Sequence, residues 1–380
     1  MSDLLADIET LVRCESPSSD HEAVARSAEV VAELGRRLLG VEPEKIVVDG
    51  VTHLRWTFGA GPPRVLLLGH HDTVWPHGSL ETHPFSVRDG VLRGPGCFDM
   101  KAGVVMALHA AATVPDRDGL SILVTGDEEI GSPSSRALIE ETVAGCDAAF
   151  VLEASADGGA LKCRRKGVSH YRVEVVGRAA HAGLEPEKGV NAGIEISHQI
   201  LAVAALADPG AGTSVTPTVV SAGTTVNTVP AAARVAVDVR VWNEAEQVRV
   251  DRAIRELRPV LEGAEVRVTG GINRPPLEEG SSAGLFALAG ELAEELGLGE
   301  LTSASVGGAS DGNYTAGLGV PTLDGLGAVG GGAHADHEHV IVAELPRRTA
   351  LLAALVENVL AKRGPSGATN PAGESGTARR

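Results

Sequence analysis

Aromatic residues are scarce in this 380-residue chain, at 3% for Phe, Trp and Tyr together. A core must therefore be assembled from Val, Leu, Ile and Ala. Cysteine is also rare: Cys14, Cys97, Cys146 and Cys163 form no C-x-x-C pair and read as reduced thiols of a cytoplasmic protein rather than a disulfide framework. No apolar run approaches the ~20 residues that a membrane span needs. Residues 1–12 interleave Asp3, Asp7 and Glu9 with their apolar positions, which argues against a signal-peptide core. Positive charge is short as well. The net charge is −17 and the one dense basic run is Arg164-Arg165-Lys166, which excludes a nucleic-acid or anionic-membrane partner and leaves a small-molecule substrate as the expectation.

What is present is an ordinary globular composition, 43% apolar and 22% charged, on a chain long enough for two domains. Helices are expected at 4–12 and 22–39, the second opened by the Ser18-Ser19-Asp20 cluster. Short apolar runs at 65–68, 120–124 and 148–152 alternate with helix-like stretches at 102–113 and 134–143. That rhythm predicts an α/β fold with a central, largely parallel sheet covered by helices, and ligands gathered beyond the carboxyl ends of its strands. The pattern resumes with helices at 281–296 and 344–360. Between 167 and 269 the texture changes to strand 168–176, helix 190–206, strands 214–220 and 234–241, helix 245–261 and strand 265–268, the order of a split-βαβ, ferredoxin-like unit. The expected organisation is a discontinuous catalytic domain, 1–166 with 270–362, an inserted domain, 167–269, and a disordered Gly/Pro/Ser/Thr-rich tail, 363–380.

Five side chains suited to divalent metals lie in five separate segments: His70, Asp99, Glu129, Glu153 and His334. His nitrogen together with carboxylate oxygen suits borderline-hard cations, and five donors fit two ions with one shared ligand better than one tetrahedral ion. In Leu68-Gly69-His70-His71-Asp72 the strand period of two puts His70 and Asp72 on one face, so Asp72 can fix the tautomer of His70. Asp99, in Gly94-Pro95-Gly96-Cys97-Phe98-Asp99-Met100-Lys101, is either a helix N-cap or a carboxylate offering one oxygen to each of two ions. Cys97 beside it is read as a packed thiol. Asp127-Glu128-Glu129 ends another strand and is either a solvated acidic turn or a pair in which one Glu coordinates and the other faces the attacking water. Glu153 closes an apolar strand. His334 shares its loop with His337 and His339, and chemistry alone does not rank them.

The order of these motifs resembles the co-catalytic zinc family that includes acetylornithine deacetylase, succinyl-diaminopimelate desuccinylase, aminoacylase and glutamate carboxypeptidase. The resemblance covers almost the whole chain apart from the tail. It implies His70, Asp99, Glu129, Glu153 and His334 as ligands of two Zn2+, with Co2+ or Mn2+ as substitutes, and Asp99 as the bridge. By the same resemblance Asp72 orients His70, Glu128 is the general base, and Glu338-His339-Val340 stands where the family has Glu-Tyr-Val, which selects His334. Gly177-Arg178-Ala179-Ala180-His181-Ala182-Gly183 is similar to the family's lid signature, whose histidine reaches a partner subunit's site; this implies a homodimer through the inserted domain, with His181 as oxyanion donor. Asn227, Arg274 and Ser310, in the loop 307–312, are placed like substrate-contacting residues of the glutamate carboxypeptidase branch, which the Gly-Pro-Gly before Asp99 also favours. Ala102 departs from the pattern, where a second glycine is common, and its methyl should affect helix packing more than chemistry. The run 163–167 is left outside the site, its charges facing either an acidic substrate or solvent.

The expected function is metal-dependent hydrolysis of an amide next to a free carboxylate, in a small peptide or an N-acyl amino acid. Release of a C-terminal, acidic residue is the first reading and N-acyl amino acid deacylation the alternative. A catalytically inert metal-stabilised scaffold is disfavoured by the presence of Glu128, which coordination does not require. A nucleotide site at Gly325-Leu326-Gly327 or Gly330-Gly331-Gly332 lacks the full strand-turn-helix fingerprint.

Overall fold

The computed structural model describes residues 2–362; the tail expected at 363–380 lies outside them. A six-stranded mixed sheet runs in the order Glu44–Val48, Val51–Thr57, Leu120–Thr125, Val65–His70, Ala148–Val151, Thr322–Leu323. Its last four strands are parallel and the first two antiparallel. Val65–His70 and Leu120–Thr125 are buried along their whole length, as strands covered on both faces must be. Their alternation still matters: Val65 and Leu67 join one apolar cluster, whereas Leu66 and Leu68 join a second. The first cluster packs helices Ser2–Val12, His21–Leu39, Ala102–Thr113, Glu279–Glu295 and Leu345–Ala361; the second packs Arg136–Val143 and Tyr314. Ala102–Thr113 is apolar almost all round and almost entirely buried, the behaviour of a helix enclosed by its neighbours. No helix among the described residues is long and apolar enough to cross a membrane.

A second, antiparallel sheet has the order Ser214–Ala222, Ala232–Val241, Gly167–Val176, Glu265–Arg274. Its strands alternate buried and exposed positions, and helices Ala192–Ala204 and Glu244–Arg255 share its separate apolar cluster. Asn191 and Asn243 cap these helices through their side chains, as Asp20 caps His21–Leu39. The helix expected at 245–261 stops at Arg255 instead. Pro259 is the reason: it has no N–H to continue the ladder and disfavours helical backbone at Arg258.

Two smaller sheets complete the frame. Leu161–Arg165 pairs in parallel with Ser303–Val306, and Gly330–Gly331, His339–Ile341, Val91–Arg93 and Ser86–Arg88 form an antiparallel set. The latter brings the histidine-rich loop back beside the segment that carries Asp99.

Ala102 is fully buried, but the tighter constraint falls on its neighbour. A Cβ at Gly103 would collide with the backbone carbonyl of Leu152, next to Glu153. An alanine there gains at most ~1 kcal/mol of helix propensity, whereas displacing backbone costs typically ~1–3 kcal/mol. Gly103→Ala should therefore lower stability, read as a lower denaturant midpoint at constant slope; an unchanged or raised midpoint would show that the helix shifts freely.

Candidate metal centre and active site

His70 is the last residue of a buried strand, and its ring is 1% exposed. Its Nδ1 faces Asp72, 3.3 Å from Oδ1 and 3.1 Å from the backbone carbonyl. Its Nε2 lies 3.5 Å from Asp99 Oδ1 and 3.6 Å from Glu153 Oε1. On the other side of Asp99, Oδ2 is 3.3 Å from His334 Nε2, which is also 3.1 Å from Glu129 Oε2. Two donor sets, His70/Asp99/Glu153 and Asp99/Glu129/His334, thus share a single carboxylate.

Asp99 is not a helix cap. The helix begins at Ala102, and residue 99 has extended backbone angles, φ −116° and ψ 97°, which turn its carboxylate toward the two histidines. Burial raises the cost of its charge, yet the nearby rings of His334 and then His70 hold its pKa well below the ordinary value. His334 sits in the left-handed region at φ 62° on an exposed loop. Asp99 and Glu129 push its pKa up to about 10. Burial opposes the charged form of His70, but Asp72, Asp99 and Glu153 outweigh it and keep the ring well above its usual value. His339 turns to the backbone of His337 instead, its Nδ1 3.0 Å from the His337 carbonyl.

The three consecutive acidic residues take three different directions. Asp127 is fully buried and accepts from the backbone and hydroxyl of Ser134 and from the hydroxyl of Ser135, closing the turn below Glu128 and Glu129. Glu129 faces His334. Glu128 lies with His70 and Glu153, one ligand-type atom of each within 4.8 Å of the others. The solvated-turn alternative is therefore removed for Asp127 and Glu129. Burial raises the Glu128 carboxyl well above its ordinary pKa, with Arg274 pulling against this and Asp311 adding to it.

Three atoms test whether cations fit. His70 Nε2, Asp99 Oδ1 and Glu129 Oε1 are buried and have no hydrogen-bond partner. An unpaired buried polar atom costs roughly 1–3 kcal/mol, and these three belong to the facing donor sets. His nitrogen and carboxylate oxygen are the donors that zinc, cobalt and manganese accept. The donor chemistry and the unpaired atoms both fit two divalent ions sharing Asp99.

Arg274 ends the second sheet's last strand and reaches the Glu128 loop. Its Nη2 donates to Ser132 Oγ at 2.7 Å, Glu128 Oε1 at 2.9 Å and Asp311 Oδ1 at 3.0 Å, while its Nε has no partner. Ser310 is fully buried, and its hydroxyl donates to Asp324 Oδ2 at 2.6 Å, so it turns no group toward the cluster. His181 and Asn227 are exposed neighbours on loops of the second sheet, joined by the Ala182 N–H to the Asn227 carbonyl at 2.9 Å. Among the described residues neither bonds to the cluster.

Two functional groups escaped the sequence. The run 163–167 faces neither substrate nor solvent throughout: Arg165 is buried, forks onto Asp324 at 2.7 and 3.0 Å and stands 3.5 Å from Glu153 Oε2. Arg164 and Lys166 flank the ring of Trp242. The partner of Arg165 lies 159 residues away, and no local spacing announces it. Glu338, also buried, accepts the N–H groups of Gly96, Phe98 and Asp99. Its signals were an acidic residue inside a histidine-rich loop and its place in Glu338-His339-Val340, which served only to select His334.

Residues 66–358 match the profile of Peptidase family M20/M25/M40. Over 373 residues the chain is 31% identical to carboxypeptidase G2 of Pseudomonas sp. (strain RS-16), covering 93% of this chain and 88% of that one. Over 382 residues it is 31% identical to succinyl-diaminopimelate desuccinylase of Xanthomonas campestris pv. campestris (strain B100), covering 89% and 97%. In fold it is similar to aminopeptidase PepT from Bacillus cereus ATCC 10987, with a TM-score of 0.73 at 23% identity over 94% of this chain and 98% of that one. It is likewise similar to the M20 family metallo-carboxypeptidase Sso-CP2 from Sulfolobus solfataricus, with a TM-score of 0.72 at 16% identity over 94% and 99%. The shared carboxylate between two histidines, the α/β frame that positions it and the family match agree: the chain belongs to Peptidase family M20/M25/M40 and is a metal-dependent hydrolase.

Proposed function

We propose that this protein is a dinuclear metallohydrolase that cleaves an amide bond adjacent to a free carboxylate, releasing a C-terminal, acidic amino acid from a small peptide. The observation that carries this reading is the pair of donor sets meeting at Asp99 with Glu128 alongside. His70 and Glu153 would hold one ion and Glu129 and His334 the other, with Asp99 between them. When bound, two divalent ions supply Lewis acidity, which brings the pKa of water toward ~7 and polarises the scissile carbonyl.

Glu128 takes the proton of the attacking water and returns it to the departing nitrogen. Its burial favours holding that proton between the two transfers. Arg274 orients Glu128 through Nη2 and turns its remaining guanidinium donors to the substrate's carboxylate. His181, brought by a second copy of this chain in a homodimer, donates to the developing oxyanion, an effect often worth ~3–4 kcal/mol; Asn227, its neighbour, contacts the substrate there. Ser310 acts through Asp324 rather than on the substrate. The likeness to a desuccinylase favours one second reading, removal of an N-acyl group from an amino acid.

A substrate panel separates the two readings. C-terminal glutamyl peptides should be turned over with a kcat/KM at least ~10-fold above N-acetyl and N-succinyl amino acids, a gap of about 1.4 kcal/mol; the reverse order would establish the deacylase. Glu128→Ala should retain metal while losing more than ~100-fold in kcat, the usual scale of a general base, and a near-normal rate would remove Glu128 from that role. Because Asp99 and Glu129 push the pKa of His334 up to about 10, and Asp72, Asp99 and Glu153 raise that of His70 above its ordinary value, zinc uptake at pH 7.5 should release protons from these imidazoles. Titration calorimetry in buffers of different ionisation enthalpy reads this directly, and heats independent of buffer would show that the imidazoles are not ligands.

A further inference from the structure

Glu338 lies four residues beyond His334, is 3% exposed and belongs to neither donor set. Its Oε1 accepts the backbone N–H of Phe98 at 2.8 Å and of Asp99 at 3.0 Å. Its Oε2 accepts the backbone N–H of Gly96 at 2.9 Å and the indole Nε1–H of Trp75 at 2.7 Å. Four donors converge on one carboxylate, which leaves it no acceptor site for a cation. The four come from two segments: Trp75 follows the strand end that bears His70 and Asp72, and Gly96 to Asp99 form the turn that bears the shared carboxylate. Glu338 itself is fixed by the next strand, His339–Ile341, which pairs with Val91–Arg93, and by Arg93 Nη1 donating to the His337 carbonyl at 3.1 Å.

We infer that Glu338 is a positioning residue for the metal pair: it holds the backbone of Asp99 in the extended conformation that aims one carboxylate oxygen at each donor set, and ties the His334 loop to that turn. Among the described residues the side chain is the only bridge of this kind that reaches the Asp99 N–H, and a turn containing Gly94 and Gly96 has little stiffness of its own. The inference rests on the reading of the cluster as a metal site. It differs from a packing role in what it predicts for ion binding, because partners behind metal ligands typically change metal affinity ~10–100-fold.

Glu338→Gln keeps the size of the side chain but replaces one acceptor oxygen with an NH2 group, which faces at least one N–H donor. The metal-free variant should match the unaltered chain in far-UV circular dichroism and bind zinc roughly 10–100-fold more weakly in competition with a chromogenic chelator. Trp75→Phe removes one donor and leaves the three backbone contacts, so its loss should be smaller but in the same direction. If Glu338→Gln lowers the melting temperature yet binds two zinc ions within twofold of the unaltered affinity, the positioning role is overturned. Should Glu338→Gln not fold, Trp75→Phe decides: weaker zinc binding at unchanged circular dichroism supports the inference, and unchanged affinity overturns it. An unaltered chain that takes up no zinc at all would instead overturn the metal-site reading, a result distinct from two proteins that bind it equally.

Discussion

Two histidines and four carboxylates, all but His334 largely withdrawn from water, are packed together, and the fold must reconcile their charges. Asp99 is the point of balance. Its Oδ1 lies 3.5 Å from His70 and its Oδ2 3.3 Å from His334, so one side chain offsets charge on both rings. The protein's own groups leave the balance incomplete, since buried atoms of His70, Asp99 and Glu129 find no hydrogen-bond partner among them. A group of anions held this close is stable only when cations stand among them.

The surrounding structure spreads the same problem outward. Asp72 faces the rear of His70, Arg165 approaches the rear of Glu153 and is itself neutralised by Asp324, and Arg274 sits between Glu128 and Asp311. Each inner group is therefore backed by an outer one of opposite charge or by backbone donors. Such outer partners fix ring and carboxylate orientation, which governs metal affinity as much as the ligands do. Several come from segments far apart in the chain, so the site is assembled only when the sheet, the loop 330–339 and the end of the second sheet are all in place.

That dispersal explains what the sequence could and could not reveal. Strand ends were legible because an apolar run that stops at His70, at Thr125 before the acidic triplet, or at Val151 before Glu153 is a local pattern. The two-sheet organisation was legible from the shift between fully apolar strands and alternating ones. The helix end at Arg255 was misread because amphipathic spacing continued through Pro259 and periodicity alone does not register a missing N–H. Arg165 and Glu338 were overlooked for a different reason: their partners lie 159 and 239 or more residues away, and a charged residue beside an unremarkable strand gives no sign that it will be buried. Ser310 lies in a loop that resembles a substrate loop, and its tie to Asp324, 14 residues on, was not legible there.

The strand Val65–His70 carries a final implication. Its successive residues enter two different apolar clusters, yet both sides ask for the same kind of side chain, and Leu occupies three consecutive positions. Sliding this strand by a single place against Leu120–Thr125 would exchange one leucine for another and leave greasy contacts nearly intact, so oil-like cohesion is a poor ruler of alignment here. The distinctive mark is the imidazole at its tip, which finds Asp72, Asp99 and Glu153 in only one setting. Catalytic apparatus and assembly gauge are, in this strand, the same residue.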